Sequence, residues 1–167
     1  MNNIDRFFDS EPTTFAEKYL EYLQTVLRRI DPVEVGRFIE LLLGARERDA
    51  AIFFIGNGGS AATASHFAND IAVGTNTYDK PFRAVSLVDN VPILTAIGND
   101  YGYDEIFVRQ LRILAKKRDV LVGISASGNS LNLIKAFEYA NANQIDTIAL
   151  TGFDGGKLRS ISTHGVH

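Results

Sequence analysis

The chain has 167 residues, 46% of them apolar, and a formal net charge of −3. That length suits one domain with its own core, and the apolar content argues against a disordered chain. The acidic balance leaves no basic footprint for nucleic acid and no polybasic patch for a membrane, and the lack of cysteine excludes disulfides and thiolate chemistry.

The start, MNNIDRFFDSEPTTF, is polar and partly acidic, unlike a secretory signal. No apolar run reaches the ~20 residues that span a bilayer. A cytoplasmic location is the expectation. Phe15, Tyr19, Tyr22, Leu23, Val26, Leu27 and Ile30 keep helical spacing and predict a first helix. Asp31-Pro32 reads as the start of a second, continued by Val35, Phe38, Ile39, Leu42 and Leu43. Ala51 to Ile55 is a short apolar run stopped by glycines, the pattern of a strand buried on both faces. A helix is expected over 60–73, a strand over 83–87, and helices over 91–98 and 104–117, with Asn99-Asp100-Tyr101-Gly102 as the turn between them. A strand over 119–124, a helix over 131–143 and a strand over 146–150 follow, and a fifth strand begins near His167. Strand alternating with helix predicts an α/β fold: a parallel sheet with right-handed crossovers, helices on both faces and a helical pair in front.

Ligands in such sheets bind at the carboxyl ends of strands. Three loops leave those ends: GNGGS at 56–60, SASGNS at 125–130 and TGFDGG at 151–156. Glycine lets the backbone approach an anion, and serine hydroxyls and helix N-termini supply donors. One such loop is as readily a plain turn. Several at neighbouring strand ends favour a phosphorylated ligand. No loop carries a dinucleotide fingerprint or a P-loop lysine, so no nucleotide cofactor is expected. On the helix after GNGGS, His66 and Asp70 stand four residues apart and share a face. The pair could move protons or ligate a metal, or could be a plain surface pair. Asn99 and Asp100 read equally as a turn or as ligands for sugar hydroxyls.

The motifs FFIGNGGSAATASHFAND, LTAIGNDYGYDEIF, DVLVGISASGNSLNLIKA and IALTGFDGGKL, in this order, resemble the SIS (sugar isomerase) domain family of the phosphoheptose isomerase type. The resemblance implies a three-layer αβα SIS fold with a flavodoxin-like, five-stranded parallel sheet. It implies one SIS domain over 1–167, with the helical pair at about 13–47 and the sheet at about 50–167. It also implies a homotetramer with sites shared between subunits, and isomerisation of sedoheptulose 7-phosphate to D-glycero-D-manno-heptose 7-phosphate for surface-polysaccharide heptose. Carried onto the matching motifs, Asn57, Gly58, Gly59 and Ser60 would meet the substrate. Ser125, Ala126, Ser127 and Ser130 would bind its phosphate, and Asn99 and Asp100 its sugar. His66 and Asp70 would be catalytic, and would be zinc ligands where the family uses zinc. Asp70 stands where the family carries a glutamate, one methylene longer. The family continues with a helix bearing a glutamine and a histidine that His164 and His167 do not match, so the completion of the last strand and that helix are expected to be missing here. The same motifs also suit a non-catalytic SIS protein, a sugar-phosphate sensor or an assembly protein of the replication-initiator-associating type.

Overall fold

Apolar runs too short for helices and flanked by glycine make the centre of the fold. A computed structural model describes residues 3–167. The chain forms two units, Met1–Pro32 and Val33–His167, taken here one at a time.

In the first unit a 3₁₀ turn, Asn3–Arg6, precedes helix α1, Pro12–Leu27. The first N–H groups of a helix lack intrahelical partners. Glu11 supplies them, accepting from Thr13 N at 3.0 Å and Thr14 N at 2.5 Å, and these bonds hold its carboxyl down at about 2. Phe7 stacks on Tyr22 with ring centroids 4.4 Å apart. The expected periodicity through Ile30 overshoots the helix. Leu27 is the last helical residue, and the chain goes on in tighter turns, with Arg29 N donating to Val26 O at 3.0 Å and Ile30 N to Leu27 O at 3.3 Å. No residue of α1 is buried, and Leu20 and Leu27 are more than half exposed.

The second unit is built on a sheet. Helix α2, Pro32–Glu47, leads into β1, Ala51–Gly56. The remaining strands are β2 (Arg83–Ser86), β3 (Val120–Ser125), β4 (Asp146–Thr151) and β5 (His164–Val166). All neighbours pair in parallel, in the order β2-β1-β3-β4-β5. The helices are α3 (Gly59–Asn69), α4 (Val91–Tyr101), α5 (Val108–Leu114), α6 (Leu131–Ala142) and α7 (Gly156–Ile161).

Alternate strand residues serve opposite faces. Phe53, Ile55 and Leu121 pack with Phe107 and Leu111 of the α5 region, Leu133 and Phe137 of α6, and Leu158 of α7. Ile52, Phe54, Val120 and Val122 pack with Leu42 and Ala45 of α2 and Ala64 and Ala68 of α3. Strand β1 is buried along its whole length, as an apolar run without alternation requires. Asp119 is buried beside it and accepts from Ala51 N at 2.9 Å and Lys116 N at 2.7 Å, which fixes the entry to β3 against β1. Among the described residues, no helix is long and apolar enough to cross a membrane.

Several boundaries differ from expectation. The helix over 60–73 is α-helical only to Asn69 and continues as a π turn, Asp70–Gly74. Asn99 and Asp100 are not in a turn but in the last turn of α4, which runs on until Gly102 leaves helical space at φ 98°. The helix over 104–117 shrinks to α5 behind a 3₁₀ turn, Tyr103–Glu105, because Lys135 of α6 ties down Asp104 and Glu105. Helix α7, six residues long, was not anticipated.

Gly123 of β3 leaves room for a ring: a Cβ there would lie 2.4 Å from the Phe137 ring. Gly123→Ala is therefore expected to cost about 1–3 kcal/mol through overpacking, read as a lower midpoint in urea unfolding.

Candidate functional site

Strands β1 and β3 are neighbours, but their following helices lie on opposite faces of the sheet. This is the topological switch point of the 2-1-3-4-5 strand order, where a crevice opens at the strand ends. A cavity of about 250 Å³ lies there, lined by Asn57 and Ser60 after β1 and by Ser125, Ala126, Ser127 and Ser130 after β3. Six of the residues named from sequence thus share one concavity.

Their hydroxyls are set as donors. Ser125 Oγ accepts the Gly128 N–H at 3.1 Å, and Ser127 Oγ accepts the Asn129 N–H at 3.3 Å. Each hydroxyl so engaged still has its own proton to give. Ser130 is the N-cap residue of α6, yet its side chain makes no capping bond. The positive end of the α6 dipole adds to these donors. Gly58 and Gly59 form the turn into α3, and Gly58 holds φ 55° with no room needed for a side chain.

The third glycine loop has another task. Gly152 N donates to Ala126 O at 3.2 Å, Leu158 N to Gly128 O at 2.9 Å, and Lys157 N to Asn129 Oδ1 at 3.0 Å. TGFDGG and the first turn of α7 together brace SASGNS, and Phe153 also reaches the cavity wall. The close seating explains Gly128: at φ 65°, a Cβ would lie 1.9 Å from Gly155 O.

His66 and Asp70 lie elsewhere on α3 and its π turn. Ala64 and Ala68 are buried, and Phe67 stacks on Phe54 with centroids 5.7 Å apart, so the opposite face carries the pair outward. His66 Nε2 is 3.0 Å from Asp70 Oδ2, with side chains 73% and 59% exposed. The pair borders its own concavity of about 430 Å³ with Ala62, Thr63 and Phe67. Asn99 donates to Asp100 Oδ1 at 2.8 Å on the exposed end of α4, and neither lines a cavity described here.

Zinc sites take three or four protein ligands. Among the described residues, no group of three histidine, cysteine, aspartate or glutamate side chains could hold a metal ion. His66 and Asp70 supply two donors. The described residues of this chain do not by themselves fit zinc.

The SIS domain model matches residues 15–152. Phosphoheptose isomerase of Helicobacter pylori is 43% identical over 146 residues, covering 87% of this chain and 72% of that protein. The chain belongs to the phosphoheptose isomerase family of SIS domains. The solved structure of phosphoheptose isomerase GmhA from Neisseria gonorrhoeae superposes with a TM-score of 0.77 at 41% identity, covering 90% of this chain and 78% of that one. The enzyme from Francisella tularensis superposes with a TM-score of 0.82 at 26% identity, over 99% and 85% of the two chains. The three-layer fold expected from sequence is the observed one.

Two polar residues beside the cavity escaped sequence reading. Asn132, 2% exposed, and Tyr103 both bond to Asn57. Asn132 sits two residues past Ser130, inside the quoted motif, and its polarity within an apolar helix face was the available signal. Tyr103 stands on the turn that Lys135 clamps. Lys135 donates to Asp104 and, at 2.9 Å, to Glu105 Oε1. These bonds hold both carboxyls below their ordinary values and push the lysine above its own.

Gly128→Ala is expected to destabilise the protein by at least about 2 kcal/mol, from left-handed backbone strain and the carbonyl clash together. Thermal unfolding with and without inorganic phosphate would show the loss. An unchanged melting temperature would mean the brace is not closed in solution.

Proposed function

We propose that this chain isomerises sedoheptulose 7-phosphate to D-glycero-D-manno-heptose 7-phosphate in the cytoplasm, supplying heptose for surface polysaccharide. The observation that carries the reading is the switch-point cavity, with four serines at two strand ends beside the N-terminus of α6. Hydroxyl and dipole donors without a lysine suit the monoester dianion of a phosphosugar. Family membership at 43% identity supports the same reaction class.

In this reading the phosphate rests on Ser125, Ser127 and Ser130, with the Ala126 backbone beside them. Asn57, Gly58, Gly59 and Ser60 face the substrate, and Asn99 and Asp100 contact the sugar chain. Binding at the phosphate end orients the reacting carbons, so remote binding energy lowers the barrier. Asp70 takes a proton from C1 of the ketose. The C1–H electrons form the enediol double bond, and the carbonyl electrons move to O2. The same proton returns to C2 from the Asp70 carboxyl. His66, 3.0 Å from Asp70, carries the hydroxyl proton from O1 to O2. Aspartate reaches one methylene less than glutamate, and the π turn that begins at Asp70 sets where its carboxylate stands.

His66 and Asp70 border a different concavity from the serines, and α1 exposes apolar residues along its length. Both features support a homotetramer whose sites draw on more than one subunit. An exposed apolar stripe of this kind marks an interface.

Asp70→Asn is expected to lower kcat at least 100-fold with KM within about threefold. NMR detection of the aldose from sedoheptulose 7-phosphate reads it, and unchanged turnover removes Asp70 from the chemistry. Wild-type protein that binds the phosphosugar in calorimetry but forms no aldose would instead be a sensor. Replacing Leu20 and Leu27 together by glutamate is expected to turn a tetramer into smaller species in light scattering, and a monomeric wild type would refute the assembly.

A further inference from the structure

We propose that Asn132 and Tyr103 are positioning residues that lock the Asn57 side-chain amide, so that it offers a bound phosphosugar an N–H donor and never its carbonyl. The proposal rests on the reading of the switch-point cavity as a phosphosugar site.

The orientation follows from one backbone group. Leu133 N–H can only donate, and it is shared between Ser130 O at 3.1 Å and one amide atom of Asn132 at 3.0 Å. That atom is therefore Oδ1, and the other end of Asn132 is Nδ2. Asn132 Nδ2 meets Asn57 at 2.9 Å, so the atom it meets must accept and is Asn57 Oδ1. The partner bond closes the pair: Asn57 Nδ2 donates to Asn132 Oδ1 at 3.0 Å. Tyr103 Oη then lies 2.9 Å from Asn57 Oδ1 and must donate to it. Both lone pairs of Asn57 Oδ1 are taken, and one Nδ2 proton is spent on Asn132. The second Nδ2 proton is the polar group Asn57 has left for the cavity it lines. Flipping the amide would set Nδ2 against Asn132 Nδ2 and Oδ1 against Asn132 Oδ1, so the pair resists it.

The frame behind the lock is stiff. Asn132 is 2% exposed in the first turn of α6. Lys135 of the same helix holds the Tyr103–Glu105 turn through Asp104 and Glu105. Both positioning groups thus reach Asn57 from one helix and the turn fastened to it. A donor in this place favours the oxygens of a phosphate or sugar over a cationic or N–H-bearing ligand.

The test is a double-mutant cycle on the full chain with sedoheptulose 7-phosphate. Tyr103→Phe removes one bond at an exposed position and should leave folding intact. It should raise KM roughly fivefold with kcat within about twofold, as expected for losing one hydrogen bond that orients the ground state. In an Asn57→Ala background the same change should leave KM where it is, because the residue it acts through is gone. An equal rise in both backgrounds, or no rise in either, overturns the lock. Wild type that neither binds nor turns over the phosphosugar refutes the functional reading instead. The lock is then judged by NMR on the Asn57 side-chain protons, assigned by their loss in Asn57→Asp. Two resolved, slowly exchanging signals that exchange faster in Asn132→Leu support it, and fast exchange in the wild type refutes it.

Discussion

Strands β1 and β3 lie side by side and send their chains to opposite faces of the sheet. Everything at the site depends on that divergence. If both crossovers packed on one face, α3 or α6 would cover the strand ends. Because they part, the ends of β1 and β3 stay open and their two loops face each other across a gap. The buried carboxylate of Asp119 bonds Ala51 N at the far end of the same strand pair, so the pairing that opens the crevice is fixed at its root.

Much of this was legible in the sequence. The central strands β1 and β3 announced themselves because a strand buried on both faces has no polar alternation to disguise it. The serine and glycine loops were legible for a related reason, since each must end a strand, turn sharply and start a helix within a few residues. The parts that were not legible depend on contacts between distant residues. The Asn57–Asn132 pair spans 75 positions, and the Tyr103–Asn57 bond spans 46. No local pattern encodes such a pairing. Helix α7 is too short for its periodicity to rise above chance, and it owes its place to Leu158, which is wholly buried. Asn99 and Asp100 looked like a turn because their composition suits one. The α4 helix overrode that preference until Gly102, whose backbone could leave helical space at little cost.

The two chemistries of the site have different settings. The serine cavity is formed within one unit, from groups already hydrogen-bonded into their loops. The His66–Asp70 pair stands on the outward face of α3, supported from beneath by the stacked rings of Phe54 and Phe67 and the edge of Phe38. In the proposed reaction, binding of the anion would be a property of the sheet, whereas the proton-transfer pair would be oriented by an exposed helix face. If that reading holds, a substitution in the sheet core would be felt first as weaker phosphosugar binding, and one along the exposed side of α3 as slower turnover.

The bracing of SASGNS by the loop after β4 has a thermodynamic meaning. Fixing a residue's backbone costs roughly 1–2 kcal/mol of conformational entropy, and a floppy six-residue loop would meet that cost each time a ligand arrived. Here the Gly152, Lys157 and Leu158 amides hold the loop in place. Its ordering is charged to folding, so the phosphosugar of the proposed reaction would not meet that cost on binding. The same stiffness narrows what the loop can accept, because a braced backbone cannot reshape itself around a poorly matched partner.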